Sequence, residues 1–166
     1  MADLLSIGLS GLRASQTSLS TTGHNISNVN TPGFSRQQTL QATAMEQKQI
    51  AEWERFLNAP GARESLVNRW LFEHLFLAHL YFEGGESGHF FQLVRSRTPS
   101  GQPIDPIATR RPNDDPGTEV YYRLWPIQGV IVHKTHITYP LSAKKLERVR
   151  ELFYASDWTV AGYRVY

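Results

Sequence analysis

A sharp change of character near Ala42 constrains this chain more than any other feature. Residues 1–42 hold one aromatic residue, Phe34, and three charged ones, Asp3, Arg13 and Arg36, beside twelve Ser and Thr. All four Trp (Trp53, Trp70, Trp125 and Trp158), all seven Tyr and the other seven Phe come later. So do 29 of the 32 charged residues. A core is built from large apolar side chains, and here they are confined to one part of the chain. Residues 1–42 and 50–166 are therefore read as separate parts, with 43–49 as the junction. At 166 residues the whole suits one domain, or a domain with an appendage.

The first part carries a helical signature. Leu5, Leu9, Leu12 and Leu19 are spaced by four, three and seven, with Gln16 at the intervening position, which is the seam of a coiled coil or packed helix. The spacing predicts a helix from about Leu4 to Thr22, ended by Gly23, with the weak helix formers Gly8 and Gly11 inside it. A polar loop follows, in which Asn and Ser make local hydrogen bonds and Thr31-Pro32-Gly33 forms a tight turn. Burying its few apolar side chains cannot offset the backbone entropy of ordering this stretch, so it is expected to be flexible without a partner.

The second part reads as a small domain. Ile50, Trp53 and Leu57 share one face of a short helix that Asn58-Ala59-Pro60-Gly61 terminates. A second helix is predicted from about Arg63 to Phe82, with a stripe of Leu71, Leu75, Ala78 and Phe82. Apolar Trp70, Phe72, Phe76, Leu77 and Leu80 surround that stripe, so the helix is expected to be central and covered on several sides. Gly84 to Gly88 reads as a loop. Phe91, Leu93, Arg95 and Arg97 alternate with Phe90, Gln92, Val94 and Ser96 in a strand that Pro99 ends. Residues 99–117 hold five Pro and predict an irregular connection; 120–125 and 129–138 are strand candidates. Ser142 caps a last helix carrying Leu146, Val149 and Phe153. The fold class is α+β: an N-terminal amphipathic helix and polar loop, then about three helices and a short sheet.

Several chemistries are excluded. Cysteine is absent, which removes disulfides, thiolate metal sites, a Cys nucleophile and the Cys-x-x-Cys-His attachment of haem. A net charge of +2, with 15 basic residues interleaved among 14 acidic ones after residue 42, gives no footprint for nucleic acid. Met1 to Leu12 is no signal peptide, since it carries Asp3 and lacks a basic start. Leu66 to Phe82 is too interrupted by Asn68, Arg69, Glu73, His74 and His79 for a transmembrane helix.

The densest polar constellation is Arg95, Arg97, Thr98, Thr109, Arg110, Arg111, Asp114 and Asp115. Arginines clustered on loops bind carboxylate or phosphate bidentately, so they could hold a lipid headgroup. The favoured alternative is that these Arg and Asp pair with one another and pin a proline-rich loop. Asp105, between prolines, reads as a turn residue. His74 and His79 are five apart, which on a helix separates their faces, and His133 and His136 fall on opposite sides of a strand. No metal site is expected from them.

Two resemblances follow from particular blocks. MADLLSIGLSGLRASQTSLSTTGHNISNVNTPGFSRQ resembles the N-terminus of flagellar rod, hook and hook-associated proteins, nearest to that of the hook–filament junction. The block carries Leu5, Leu9, Leu12, Asn25, Asn28, Thr31, Pro32, Gly33, Phe34 and Arg36. It implies export to the flagellum and assembly with rod, hook or junction subunits. That family pairs this helix with a C-terminal one, and WTVAGYRVY is not a Leu-seamed helix.

EWERFLNAPGARESLVNRWLFEHLFLAHLYFE, FFQLVRSRTPSGQPIDPIATRRPNDDPG and VYYRLWPIQGVIVHKTHITYPLS resemble the bacterial fatty acid cis/trans isomerases. The resemblance implies action on the unsaturated acyl chains of membrane phospholipids, in the periplasm, with a covalent haem c. It covers an internal portion of the family's longer chain, without the haem attachment motif. The joint expectation is a chimera: a flagellar leader before an isomerase fragment, inactive alone, with no cofactor of its own. Were haem held without thioether bonds, His74, His79 or His136 would be its axial ligands.

Overall fold

The computed structural model describes residues 2–32, 42–85, 88–128 and 138–161. The chain divides into two compact units, 1–41 with 127–133 and 42–126 with 134–166. In the first, helix α1 spans Ala2–Ser27. It runs through Gly23, whose cost in a helix interior is only about 1 kcal/mol relative to alanine. The helix ends where the Asn28 side chain and backbone both donate to the His24 carbonyl, at 2.9 and 3.1 Å. The turn begins there, with Thr31 N–H donating to the Asn28 carbonyl at 2.9 Å. Leu12, Leu19 and Ile26, spaced by seven, lie exposed. The side chains of Leu5 and Leu9, and all of Gly33, Phe34 and Arg36, lie outside the described residues.

The second unit contains α2 (Ala44–Leu57), α3 (Ala62–Leu75), β1 (His79–Phe82), β2 (Phe91–Ser96), β3 (Tyr121–Pro126), β4 (Thr138–Leu141) and α4 (Ala143–Tyr154). The strands form a mixed sheet in the order β3-β2-β1-β4. Among the described strands only the β1–β4 pair is parallel. The architecture is the expected α+β class. Trp53 and Leu57 of α2 and Leu71 and Leu75 of α3 converge on Leu80, Leu93, Leu124 and Leu141, one leucine from each strand. Caps fix the helix starts. Thr43 and Glu46 form a reciprocal capping box at α2, and the Ser142 hydroxyl accepts from Lys145 N–H at 3.1 Å at α4.

The long helix expected over 63–82 is a helix and a strand. α3 stops at Leu75, Ala78 turns back onto the Leu75 carbonyl, and His79–Phe82 pairs residue for residue with Thr138–Leu141. Leu80 and Phe82 face the core while His79 and Tyr81 are half-buried, the period of a strand. A ladder partner 59 residues away outcompetes the local helical stripe, His79↔Thr138 marking its start. Trp70 and Leu77 are exposed rather than covered. Of the predicted strand 129–138 only Thr138 is described, and it opens β4.

β3 is an edge strand whose outward peptide groups are taken by one side chain of α2 and one of its C-cap. The Glu54 carboxylate accepts from Leu124 N–H at 2.9 Å. One turn on, the Asn58 amide accepts from Tyr122 N–H at 2.8 Å and donates to the Tyr122 carbonyl at 2.9 Å. A helix thus mimics the missing neighbour strand, which closes the edge to further pairing.

Candidate functional site

Strand β2 pairs with β3 along its whole length, but on its other side it has two short partners. β1 meets it only at Phe91, through Leu80. Farther along, the proline-rich connection returns: Ile107 N–H donates to the Arg95 carbonyl at 2.8 Å and Arg97 N–H to the Asp105 carbonyl at 2.9 Å. Between those contacts lies a groove of about 210 Å³, walled by Phe72, Phe76, Leu93 and Ile107, with Arg110 and Arg111 at its rim.

Arg95 forms the floor and is 5 % exposed. Its guanidinium lies 4.7 Å from the centre of the Phe72 ring. It donates to the Asp114 carbonyl at 3.0 Å and to the Thr109 hydroxyl, while its Nε is buried without a hydrogen-bond partner. Desolvation lowers the pKa of Arg95, partly opposed by the nearby Tyr122 and Asp114. Cation–π contact with Phe72 offsets some of that burial. Arg69, held by Glu73 at 2.8 Å, donates to the Asn113 carbonyl at 3.3 Å. Arg111 N–H and the Asp114 carboxylate close a tight turn at 2.8 Å.

The predicted constellation thus separates. Arg95, Thr109 and Asp114 meet, through a backbone carbonyl and a hydroxyl rather than an Arg–Asp ion pair. Arg97 and Asp105 form an exposed pair at 3.3 Å, and Asp105 N–H reaches the buried Ser96 hydroxyl. Asp115 accepts from Gly117 N–H two residues on, a local turn. Arg110 and Arg111 are exposed, and their guanidinium groups have no hydrogen-bond or ion-pair partner among the described residues.

Across β3 lies a network that sequence reasoning missed. Arg123, 8 % exposed at the side chain, meets Glu54 at 3.0 Å and donates to the carbonyls of Thr98, Pro99 and Gln102. Ser100 donates to the other Glu54 oxygen. The buried pair fastens the far side of the same proline-rich connection. A signal existed: Glu54 sits beside Trp53, Phe56 and Leu57, where an unpaired charge would be costly.

The histidines do not converge. His74 is exposed, stacked at 3.9 Å on Trp70, with Nδ1 2.6 Å from the Trp70 carbonyl. His79, expected on a helix, belongs to β1 and meets Phe90 edge-on at 6.0 Å. His136 lies outside the described residues. Among those described, no three His, Asp or Glu side chains gather as a metal site. With no cysteine in the sequence to form the thioether bonds, the residues present do not fit a thioether-linked haem.

One comparison decides the family. A family model described as fatty acid cis/trans isomerase matches residues 10–166. The chain belongs to the fatty acid cis/trans isomerase family. The family match begins well inside α1 and runs across the compositional break at Ala42 without interruption. No curated protein and no solved structure gives a significant match. Among the described residues, no helix is long and apolar enough to cross a membrane.

Proposed function

We propose that the chain receives unsaturated acyl lipids in the groove beside β2 and serves their cis-to-trans isomerisation, with Arg110 and Arg111 taking the anionic end of the lipid. Family membership supports the reaction class. The observation that carries the binding role is the pair of unpaired arginines at the rim of a groove walled by Phe72, Phe76, Leu93 and Ile107. Guanidinium forks match carboxylate and phosphate oxygens, and the aromatic wall suits methylene groups. The same reading places the protein in the periplasm. In that reading these residues bind and orient the lipid.

Palmitoleate below its micellar concentration tests the assignment by calorimetric titration. The Arg110→Ala, Arg111→Ala variant is expected to bind at least about tenfold more weakly, the size of one or more charge-assisted hydrogen bonds. Unchanged affinity would remove the groove from the reading.

A second reading keeps residues 1–42 as a flagellar leader fused to the isomerase-like part at 43–49. The exposed seam of Leu12, Leu19 and Ile26 favours it, since such a stripe is built to be covered. The family match across the same boundary weighs against a foreign origin. Limited proteolysis separates the two: protection of α1 only on mixing with hook-junction subunits supports the leader, and an unchanged digest disposes of it.

A further inference from the structure

We infer that the groove opens onto an anionic bilayer through an apolar patch formed by Leu77, Phe76 and Trp125, with Arg110 and Arg111 as the charged flank. This rests on the proposed groove and adds the surface by which lipid reaches it. Leu77 is 63 % exposed and Trp125 40 % exposed, although both belong to the ordered second unit. Both lie beside Gln92. Trp125 lies directly across the β2–β3 ladder from Gln92, and the Gln92 amide donates to the Phe76 carbonyl at 3.1 Å. Phe76 and Gln92 also line the groove, as do Arg110 and Arg111.

An isolated exposed leucine needs no explanation, but this cluster adjoins a cavity that carries two unpaired cations. Tryptophan prefers the interface between hydrocarbon and water, where its ring is apolar and its N–H stays wet. Near an anionic leaflet each arginine adds attraction that falls off within a Debye length. Apolar insertion and charge therefore favour the same occupant, a lipid surface, over a second protein copy, which like charges would repel.

The experiment is co-sedimentation of the full chain with vesicles of equimolar dioleoyl phosphatidylglycerol and dioleoyl phosphatidylcholine. Leu77→Glu should lower vesicle binding about tenfold, and Trp125→Ala should do the same, both leaving the affinity for monomeric palmitoleate unchanged. Leu152→Glu is the control: Leu152 is 62 % exposed on α4 and lines no part of the groove. Equal losses from Leu77→Glu and Leu152→Glu would overturn the patch, as would vesicle binding that neither substitution touches. A vesicle-free change in sedimentation of Leu77→Glu would identify a self-association face and also overturn it. Palmitoleate binding fails independently if the groove reading is wrong, so the two failures are distinguishable.

Discussion

Glu54→Ala should cost about 3–5 kcal/mol of unfolding free energy, the largest loss expected of any polar substitution in this chain. Three groups lose their acceptor together. Arg123 keeps its charge in a site 8 % exposed, Leu124 N–H loses its acceptor at the sheet edge, and the Ser100 hydroxyl loses its carboxylate. Carbonyls of Thr98, Pro99 and Gln102 still receive Arg123, so part of its charge stays solvated by dipoles. That residual support keeps the loss within the range for one broken buried pair.

Urea unfolding of the wild type and the variant measures the difference. The pair as such is a different quantity. Glu54→Leu combined with Arg123→Met should lose less than Glu54→Ala alone, because no uncompensated charge remains. A loss below about 1 kcal/mol for Glu54→Ala would mean the carboxylate acts as an ordinary exposed one, which the geometry forbids.

Legibility in the sequence followed the range of the interaction. α2 and α4 were readable because their stripes are local: Ile50, Trp53 and Leu57 share one face of α2, and Ser142 precedes Leu146 and Val149 in α4. β2 was readable because Phe91, Leu93 and Arg95 alternate onto one buried face. β1 was not, because Leu75, Ala78 and Phe82 satisfy a helical stripe as well as a strand satisfies its parallel partner. Only Thr138–Leu141 decides between them. At the site, Arg95 with Thr109 and Asp114 was legible as a group but not as geometry. An Arg–Asp pair was expected, and the guanidinium takes the Asp114 carbonyl instead. The part Glu54 and Asn58 play at the sheet edge escaped notice because their partners there, Leu124 and Tyr122, are backbone groups, which leave no mark on side-chain pattern.

Arg95→Ala should release the 109–114 segment and weaken palmitoleate binding by at least about tenfold, with Arg110 and Arg111 untouched. The reason is architectural. Both rim arginines ride on a segment tied to β2 by the Arg95 side chain, which takes the Asp114 carbonyl and the Thr109 hydroxyl, whereas the bond from Ile107 N–H to the Arg95 main-chain carbonyl survives the substitution. Two hydrogen bonds from a charged donor, at about 1.5–3 kcal/mol each, and a contact with Phe72 of about 0.5–2 kcal/mol are lost together. Relief of desolvation subtracts from that sum, leaving a net cost of roughly 2–4 kcal/mol. Arg95→Lys keeps the charge but cannot fork to two partners, so it should fall between the wild type and Arg95→Ala. Amide hydrogen exchange separates anchoring from bulk instability. The Arg111 amide should lose protection in Arg95→Ala while that of Tyr81, in the β1–β4 ladder, keeps its own. If the Arg111 and Tyr81 amides fall in step, Arg95 is a general core residue, and the rim arginines are placed by something other than its guanidinium.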